Sequence, residues 1–116
     1  MIIPSKAVHT AAQVIHFIAV ADYAGLIRFS SSSRLNTDDI QKVISDYGRT
    51  PTDPESISFQ SLDIIEQTDS TPPRWSINCP IFTQEEGPSD LTLQMTFIDG
   101  SASDHYSVEL DDLHVL

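Results

Sequence analysis

Histidine and aspartate crowd the C-terminal end of the chain, where the sequence comes closest to a metal site. The residues considered as metal ligands there are two histidines and two aspartates: His105, Asp111, Asp112 and His114. Apolar and polar residues alternate in this region, as in a strand, so His105 and His114 are expected to lie roughly 30 Å apart. One ion cannot bind both histidines unless the strand folds back. The sequence therefore predicts no metal site and no cofactor.

Signatures of nucleophilic and acid–base catalysis are also missing. The single cysteine, Cys79, lies on the apolar side of a predicted strand before Pro80, which is typical of a buried hydrophobe. Glu85 and Glu86 are paired carboxylates, but their neighbours predict a turn tip instead of a catalytic cleft. The segment 99–104 lacks the glycine at the sixth position and the closing glutamate of a calcium loop. We therefore predict that the protein is not an enzyme and has no catalytic residues.

The acidic residues are concentrated in one half of the chain. The net charge is −11; residues 1–50 carry four acidic and five basic residues, whereas residues 51–116 carry thirteen acidic residues against Arg74. This distribution argues against nucleic acid or an anionic membrane as a partner. It fits either a cationic partner or an acidic surface that only aids solubility.

The cellular compartment follows from the cysteine content and the N-terminal sequence. A single cysteine excludes an internal disulfide and fits a reducing compartment. The apolar N-terminal run is interrupted by polar residues and is too short to span a membrane, and it does not have the pattern of a secretory signal. We therefore expect a cytoplasmic protein.

Two helices are predicted in the N-terminal half. Pro4 suits the start of the first helix, whose apolar residues recur every three or four positions, and Gly25 is expected to close it. The second helix is predicted to begin at Asn36 or Thr37 and to end at Gly48. Its capping residues make it the clearest local feature of the sequence.

Four strands are predicted in the C-terminal half. Apolar residues alternate along 75–81, 91–97 and 106–110, and turn residues separate these segments, which predicts an antiparallel meander. A further strand is predicted at 57–67, with a bulge near Ser61 where the apolar phase changes. Together with the helices, these strands predict an α+β protein.

Two further irregularities are expected within the meander. Leu110 and Leu113 are both apolar, but a separation of three places them on opposite faces of a regular strand, so a bulge is predicted at Asp111–Asp112. Pro80 lacks the N–H for a strand ladder, so its strand is predicted to be an edge strand or bulged there. The expected architecture is a single domain over 1–116, with two helices packed on a curved, four-stranded antiparallel sheet.

Two stretches, 80–93 and 111–116, resemble a family of small uncharacterised bacterial proteins. Trp75 and the helical segment 34–48 are similar as well, so the resemblance covers most of the chain. The layout is similar to the nuclear-transport-factor-2-like, or cystatin-like, fold, in which a curved sheet wraps a long helix. Members of that fold include enzymes, ligand binders and immunity proteins, so the resemblance implies a fold and not a function.

The preferred hypothesis is a bacterial immunity protein, of the kind found in contact-dependent growth inhibition, that neutralises a cognate toxin domain. Toxins that act on nucleic acid have basic clefts, and an acidic protein would associate with such a cleft quickly and block it. A homodimer is left open. The residues predicted to contact the toxin are Glu85, Glu86, Asp90, Asp99, Asp104, Asp111 and Asp112.

The alternative hypothesis is a non-catalytic module that binds a small molecule between the first helix and the sheet. Four large side chains would line this pocket: Trp75, Met95, Phe97 and Tyr106. The same four side chains are equally suited to plain core packing. A well-packed core at this place would favour the second interpretation.

Overall fold

The computed structural model describes residues 1–100 and 104–116, with helices in the first half of the chain and most of the sheet in the second. The described residues form three α-helices, α1 (Pro4–Ala19), α2 (Tyr23–Phe29) and α3 (Thr37–Tyr47), and a short 3₁₀-helix at Phe59–Ser61. Their five strands are β1 (Ser32–Ser33), β2 (Asp63–Gln67), β3 (Arg74–Thr83), β4 (Gly87–Ile98) and β5 (Ser107–Val115). The α+β class is confirmed.

The strands form one mixed sheet in the order β1-β5-β4-β3-β2. The predicted meander is confirmed, because β2, β3, β4 and β5 pair antiparallel in sequence order. The predicted turn at 99–104 includes residues 101–103, which lie outside the described residues. The expectation of four antiparallel strands was incomplete, since β1 adds a parallel pair with β5.

Strand β1 had no signal in the sequence because it is only two serines long. Its pairing with β5 is extended on both sides by backbone hydrogen bonds, from Ser31 N to Val108 O (2.7 Å) and from Arg34 N to Leu110 O (2.9 Å). These contacts join residues far apart in the chain, and no apolar alternation marks them. They place Arg34 next to β5.

The first predicted helix is shorter than expected, and a helix that was not predicted, α2, follows it. Helix α1 ends at Ala19, and Gly25 lies buried inside α2 and not at a helix end, so the predicted role of Gly25 was wrong. Asp22 caps α2 by accepting a hydrogen bond from Gly25 N at 2.9 Å. A Cβ atom at position 25 would lie 2.3 Å from Asp22 Oδ2, so a larger residue there would displace the capping carboxylate.

The second predicted helix is confirmed as α3. Asn36 Oδ1 accepts a hydrogen bond from Asp39 N, and Asp39 Oδ2 accepts one from Asn36 N, which completes a reciprocal cap. Gly48 ends the helix with φ of 75°, the left-handed conformation that glycine adopts without strain. All of these signals are local, which explains why the sequence predicts this helix well.

The core lies between the helices and one face of the sheet, which we call the inner face. Helix α1 is tied to the start of β5 through Thr10, whose Oγ1 accepts a hydrogen bond from Tyr106 N (2.9 Å) and donates one to Lys6 O (2.7 Å). Tyr106 Oη in turn accepts a hydrogen bond from Ile3 N. The buried residues of the inner face are Trp75, Ile77, Cys79, Ile81, Leu91, Leu93, Met95, Phe97, Val108, Leu110 and Leu113.

The predicted bulge in β5 is confirmed. Gln94 pairs with Asp112 and Met95 with Leu110, so Asp111 is the extra residue. Leu110 and Leu113 are consequently both buried. The bulge explains how Leu110 and Leu113, three residues apart, both face the core.

The predicted irregularity of the strand at Pro80 is also confirmed, whereas the predicted strand with a bulge near Ser61 is wrong in part. Strand β3 lies inside the sheet, and its register with β4 shifts between Pro80 and Phe82. The strand predicted from 57 starts only at Asp63, as β2, and the 3₁₀-helix Phe59–Ser61 precedes it. A 3₁₀ turn brings residues three apart to one side, which lets Phe59 and Leu62 both pack on the core.

Candidate partner-binding face of the sheet

The sheet face opposite the core is polar, and we call it the outer face. It carries a groove of about 520 Å³ near the middle of β3, β4 and β5, which we call the outer groove. Nine residues line the outer groove: Arg34, Gln67, Arg74, Ser76, Gln94, Thr96, Glu109, Asp111 and Asp112. No lining side chain is aliphatic or aromatic, so this surface is built for hydrogen bonds and charge.

The bulge in β5 presents two consecutive carboxylates to the outer groove. In a regular strand one of them would face the core, but here both Asp111 and Asp112 line the groove. Asp111 Oδ2 accepts a hydrogen bond from Thr96 Oγ1 at 2.8 Å. Asp112 Oδ2 lies 3.0 Å from His114 Nδ1, close enough for an ion pair with a protonated imidazole but not aligned as a hydrogen bond.

Two arginines line the outer groove together with its carboxylates. Arg74 Nη2 and Glu109 Oε1 form an ion pair at 2.5 Å, with both side chains about one-third exposed (33% and 28%). Arg34 also lines the groove, and its guanidinium makes no hydrogen bond or ion pair within the described residues. The groove thus combines three carboxylates, one paired arginine and one arginine with unused donors.

The predicted contact residues Glu85 and Glu86 have partners inside the chain. The Glu85 carboxylate accepts hydrogen bonds from Thr50 N and Thr50 Oγ1, both at 2.9 Å, and these bonds lower the pKa of Glu85. Glu86 accepts a hydrogen bond from Tyr47 Oη at 2.9 Å. Both carboxylates therefore fasten the turn between β3 and β4 to the end of α3.

The seven acidic residues predicted to contact a partner do not form one surface. Asp111 and Asp112 lie together in the outer groove. The group from Glu85 to Asp90 lies at one end of β4, and Asp99 lies at its other end, followed by Asp104. Because β4 spans 87–98, these two groups are separated by roughly 35 Å at ~3.4 Å per residue.

The sequence did not point to five charged or amide residues that line the outer groove with the two aspartates: Arg34, Gln67, Arg74, Gln94 and Glu109. Four of them could have been found, because they occupy polar positions of strands that the sequence predicted. Register within the meander brings Gln94 opposite Asp112. Arg34 gave no signal, since its place depends on the pairing of β1 with β5.

The structure also locates the side chains considered for other chemistry. Cys79 is buried, and burial raises the pKa of its thiol to about 12. Within residues 1–100 and 104–116, no three histidine, cysteine or acidic side chains are arranged to hold a metal ion. No helix in the same part of the chain is long and apolar enough to cross a membrane.

The four residues of the alternative ligand pocket all belong to the buried core. Trp75, Met95, Phe97 and Tyr106 are each exposed by no more than 2%. The ring centroid of Tyr106 lies 5.2 Å from that of Trp75 and 5.8 Å from that of Phe97. These are contact distances for packed aromatic side chains, as the core interpretation expects.

Comparison with known proteins gives one family match. The model of a family described as a domain of unknown function (DUF7668) matches residues 15–116. Searches of curated proteins and of solved structures found no match.

Proposed function

The chain belongs to the DUF7668 family, whose description names no activity, and we propose from the geometry of its outer face that it binds a basic protein partner there. The partner of this proposal is a toxin domain that the protein neutralises, as a bacterial immunity protein does in the cytoplasm. The likeness to the nuclear-transport-factor-2-like fold stays a prediction. The observation that carries the proposal is the β5 bulge, which places two adjacent carboxylates in an open polar groove.

The carboxylates of the groove suit lysine and arginine side chains of a partner. Asp111 uses Oδ2 to accept the hydrogen bond from Thr96, and its other oxygen has no partner within the described residues. A guanidinium binds a carboxylate through two parallel hydrogen bonds, which gives geometric specificity as well as attraction. Gln94, directly opposite Asp112, adds an amide that hydrogen-bonds either the partner's backbone or its side chains.

Arg34 gives the groove a second kind of contact. Its guanidinium is exposed and unengaged within the described residues, at the side of the groove formed by β1 and β5. Arginine is enriched at the centres of protein interfaces because it combines a planar fork of donors with apolar contact area. We expect it to pair with a carboxylate or a backbone carbonyl of the partner.

The overall charge supports a basic partner more than a neutral one. With a net charge of −11, the protein attracts a cationic domain over several ångströms before any contact forms. The acidic residues at both ends of β4 contribute to this attraction without touching the partner. Attraction of this kind raises the association rate and weakens as salt is added.

The outer groove fits a protein better than a small molecule. Its volume lies in the range of ligand pockets, but such pockets are mainly lined by apolar and aromatic side chains that exclude water. The outer groove is open and has polar lining, as a protein interface with bridging waters does. The small-molecule alternative is therefore less well supported at this place.

The test compares two double variants, each of which removes two negative charges. Asp111→Asn with Asp112→Asn removes two negative charges from the groove, and Asp46→Asn with Glu55→Gln removes two from exposed positions elsewhere. A basic partner would be captured from bacterial lysate at low salt, purified and titrated against each variant by calorimetry. We expect the groove variant to bind about tenfold or more weakly, and the control to bind nearly as the parent does.

The same variants test protection in cells. A strain that expresses the captured toxin domain should grow with the parent protein and with the control variant, and it should fail to grow with the groove variant. Equal loss of protection in both variants would mean that only total charge matters. Full protection by both variants would exclude the outer groove as the site. Reversing Glu85, Glu86 and Asp90 is a less specific test, because two of these residues hold the turn against α3.

A further inference from the structure

One edge of the sheet is open. Strand β2 (Asp63–Gln67) is last in the strand order, and its backbone pairs with β3 on one side. Within the described residues no backbone hydrogen bond joins its other side to any part of the chain. Free N–H and C=O groups along such an edge are a template for another strand.

The edge also carries exposed apolar surface. Ile65 lies on the outer face, opposite Ser76 of β3, and it is 58% exposed. Ile64 lies on the inner face, where it lines a cavity of about 490 Å³ together with Trp75. An unpaired edge strand that presents free backbone groups and an exposed isoleucine is suited to pairing with another strand.

The sequence of β2 is complementary to itself. In antiparallel pairing centred on Ile65, this residue faces its own copy, Ile64 faces Glu66, and Asp63 faces Gln67. All five residues are paired and no like charges stand directly opposite each other. Cross-strand pairs are the unit that stabilises a sheet, and the apolar Ile65 pair lies at the centre of this register.

Other symmetric registers are less favourable. A continuous sheet requires that opposite residues point to the same face, so the register can shift only in steps that keep this match. Centring the pair on Asp63 or on Glu66 places two carboxylates opposite each other. Centring it on Ile64 leaves Glu66 and Gln67 without a partner inside the strand.

We propose that two copies of this chain pair antiparallel through β2, with Ile65 against Ile65 of the second copy. The two sheets then become one continuous sheet about a two-fold axis perpendicular to it. Both outer grooves face the same side, and the two β4 strands lie roughly 24 Å apart at ~4.8 Å per strand. This dimer does not depend on the proposed function, but it would present two binding grooves side by side.

The register is tested by introducing cysteine at single positions. In the Ile65→Cys variant, the two thiols face each other across a pair whose Cα atoms are roughly 5 Å apart, within the range of a disulfide. The matched control is Asp63→Cys on the same face, whose thiols would be separated by roughly 14 Å along the strands. The native Cys79 is buried and does not compete.

Under mild oxidation we expect a covalent dimer from Ile65→Cys and little from Asp63→Cys, measured on a non-reducing gel. No dimer from position 65, or equal yields from both positions, would overturn the proposed register.

The dimer itself is tested by mass in solution. Sedimentation of the parent protein over a concentration series should approach twice the mass of one chain. Ile65→Lys is expected to raise the dissociation constant of the dimer by about tenfold or more, because two ammonium groups then face each other across the edge. The control is Val20→Lys, which replaces an apolar residue of similar exposure (54%) that is not part of β2.

Three outcomes would overturn the proposal of a second copy. The first is a parent protein that stays monomeric at all concentrations, and the second is a dimer that Ile65→Lys does not weaken. The third is slow hydrogen exchange of the β2 amides only when a different protein is bound, which would identify the occupant as a partner's strand.

Discussion

The inner and outer faces of the sheet share the same strands but differ in almost every physical respect. On the inner face Trp75, Met95 and Phe97 are buried against other apolar side chains. On the outer face the alternating positions hold charged and amide groups that line an open groove. The inner face stabilises the fold by burying apolar side chains, whereas the outer face presents polar side chains to solvent.

The two faces meet at the β5 bulge. Leu110 and Leu113 both point into the core, and Asp111 and Asp112 between them both reach the outer groove. A regular strand has one outward position between two inward ones. The extra residue therefore adds a second carboxylate to the outer face without removing an apolar side chain from the core.

Single-residue deletions should give the largest difference in stability between changes on the two faces. Deleting Asp111 leaves Leu110, Asp112 and Leu113 in regular alternation, so we expect the fold to survive with a loss of about 1–3 kcal/mol from the missing partner of Thr96. Deleting Thr96 instead sends Phe97 to the outer face and should remove about 5 kcal/mol or more, close to the whole stability of a small domain.

Circular dichroism and urea unfolding measure both deletions. An Asp111 deletion that unfolds as completely as the Thr96 deletion would mean that the bulge is required for folding. The proposed role of the bulge as an addition for binding would then lose its support.

Truncation within β3 gives the next largest contrast. Trp75 is 2% exposed and contacts Tyr106, so Trp75→Ala should lower the free energy of unfolding by about 3–5 kcal/mol. Its neighbour Ser76 lies on the outer face, and Ser76→Ala should change stability by no more than about 0.5 kcal/mol. Similar losses at both positions in urea unfolding would contradict the assignment of the two faces.

The sequence predicted those parts of the fold that depend on local patterns. Helix α3 was found because Asn36 and Gly48 cap it, and the meander was found because period-two alternation is a direct consequence of strand geometry. The β5 bulge followed from the odd spacing of Leu110 and Leu113. In each case the deciding residues are close together in the chain.

The sequence did not predict the parts that depend on distant pairing or on side-chain placement. Strand β1 consists of two serines that pair with β5, and no composition marks such a strand. Charge alone favoured seven acidic residues, although Glu85 and Glu86 bind α3 and the loop after it. The groove also needs Arg34, whose position is set by the pairing of β1.

A smaller effect is expected where the inner face is joined to α1. Thr10 is fully buried, and its hydroxyl is the partner of Tyr106 N at 2.9 Å. Thr10→Val keeps the shape but leaves a buried N–H unsatisfied, which should cost about 1–3 kcal/mol. Thr10→Ser keeps the hydroxyl and should recover much of this loss, apart from the missing methyl group.

Urea unfolding of the two variants measures the difference. If Thr10→Ser is no more stable than Thr10→Val, the hydroxyl is not what holds α1 to the sheet, and packing of the methyl group would explain the loss.

The smallest expected effect lies at the edge between the faces, where Glu85 fastens the β3–β4 turn. Hydrogen bonds from Thr50 lower the pKa of Glu85 in the folded protein below its ordinary value of 4.5. A carboxyl with a lowered folded pKa contributes stability above its unfolded pKa, and this contribution is lost as pH falls through the folded pKa. The melting temperature is measured from about pH 6 down to about pH 2, which spans the carboxyl range. It should therefore fall less on acidification in Glu85→Gln than in the parent. Thr50→Val keeps the backbone N–H donor and should give an intermediate slope. Parallel curves for all three proteins would mean that the turn is not held through this carboxylate, and Glu85 would then be free to contact a partner as the charge pattern first predicted.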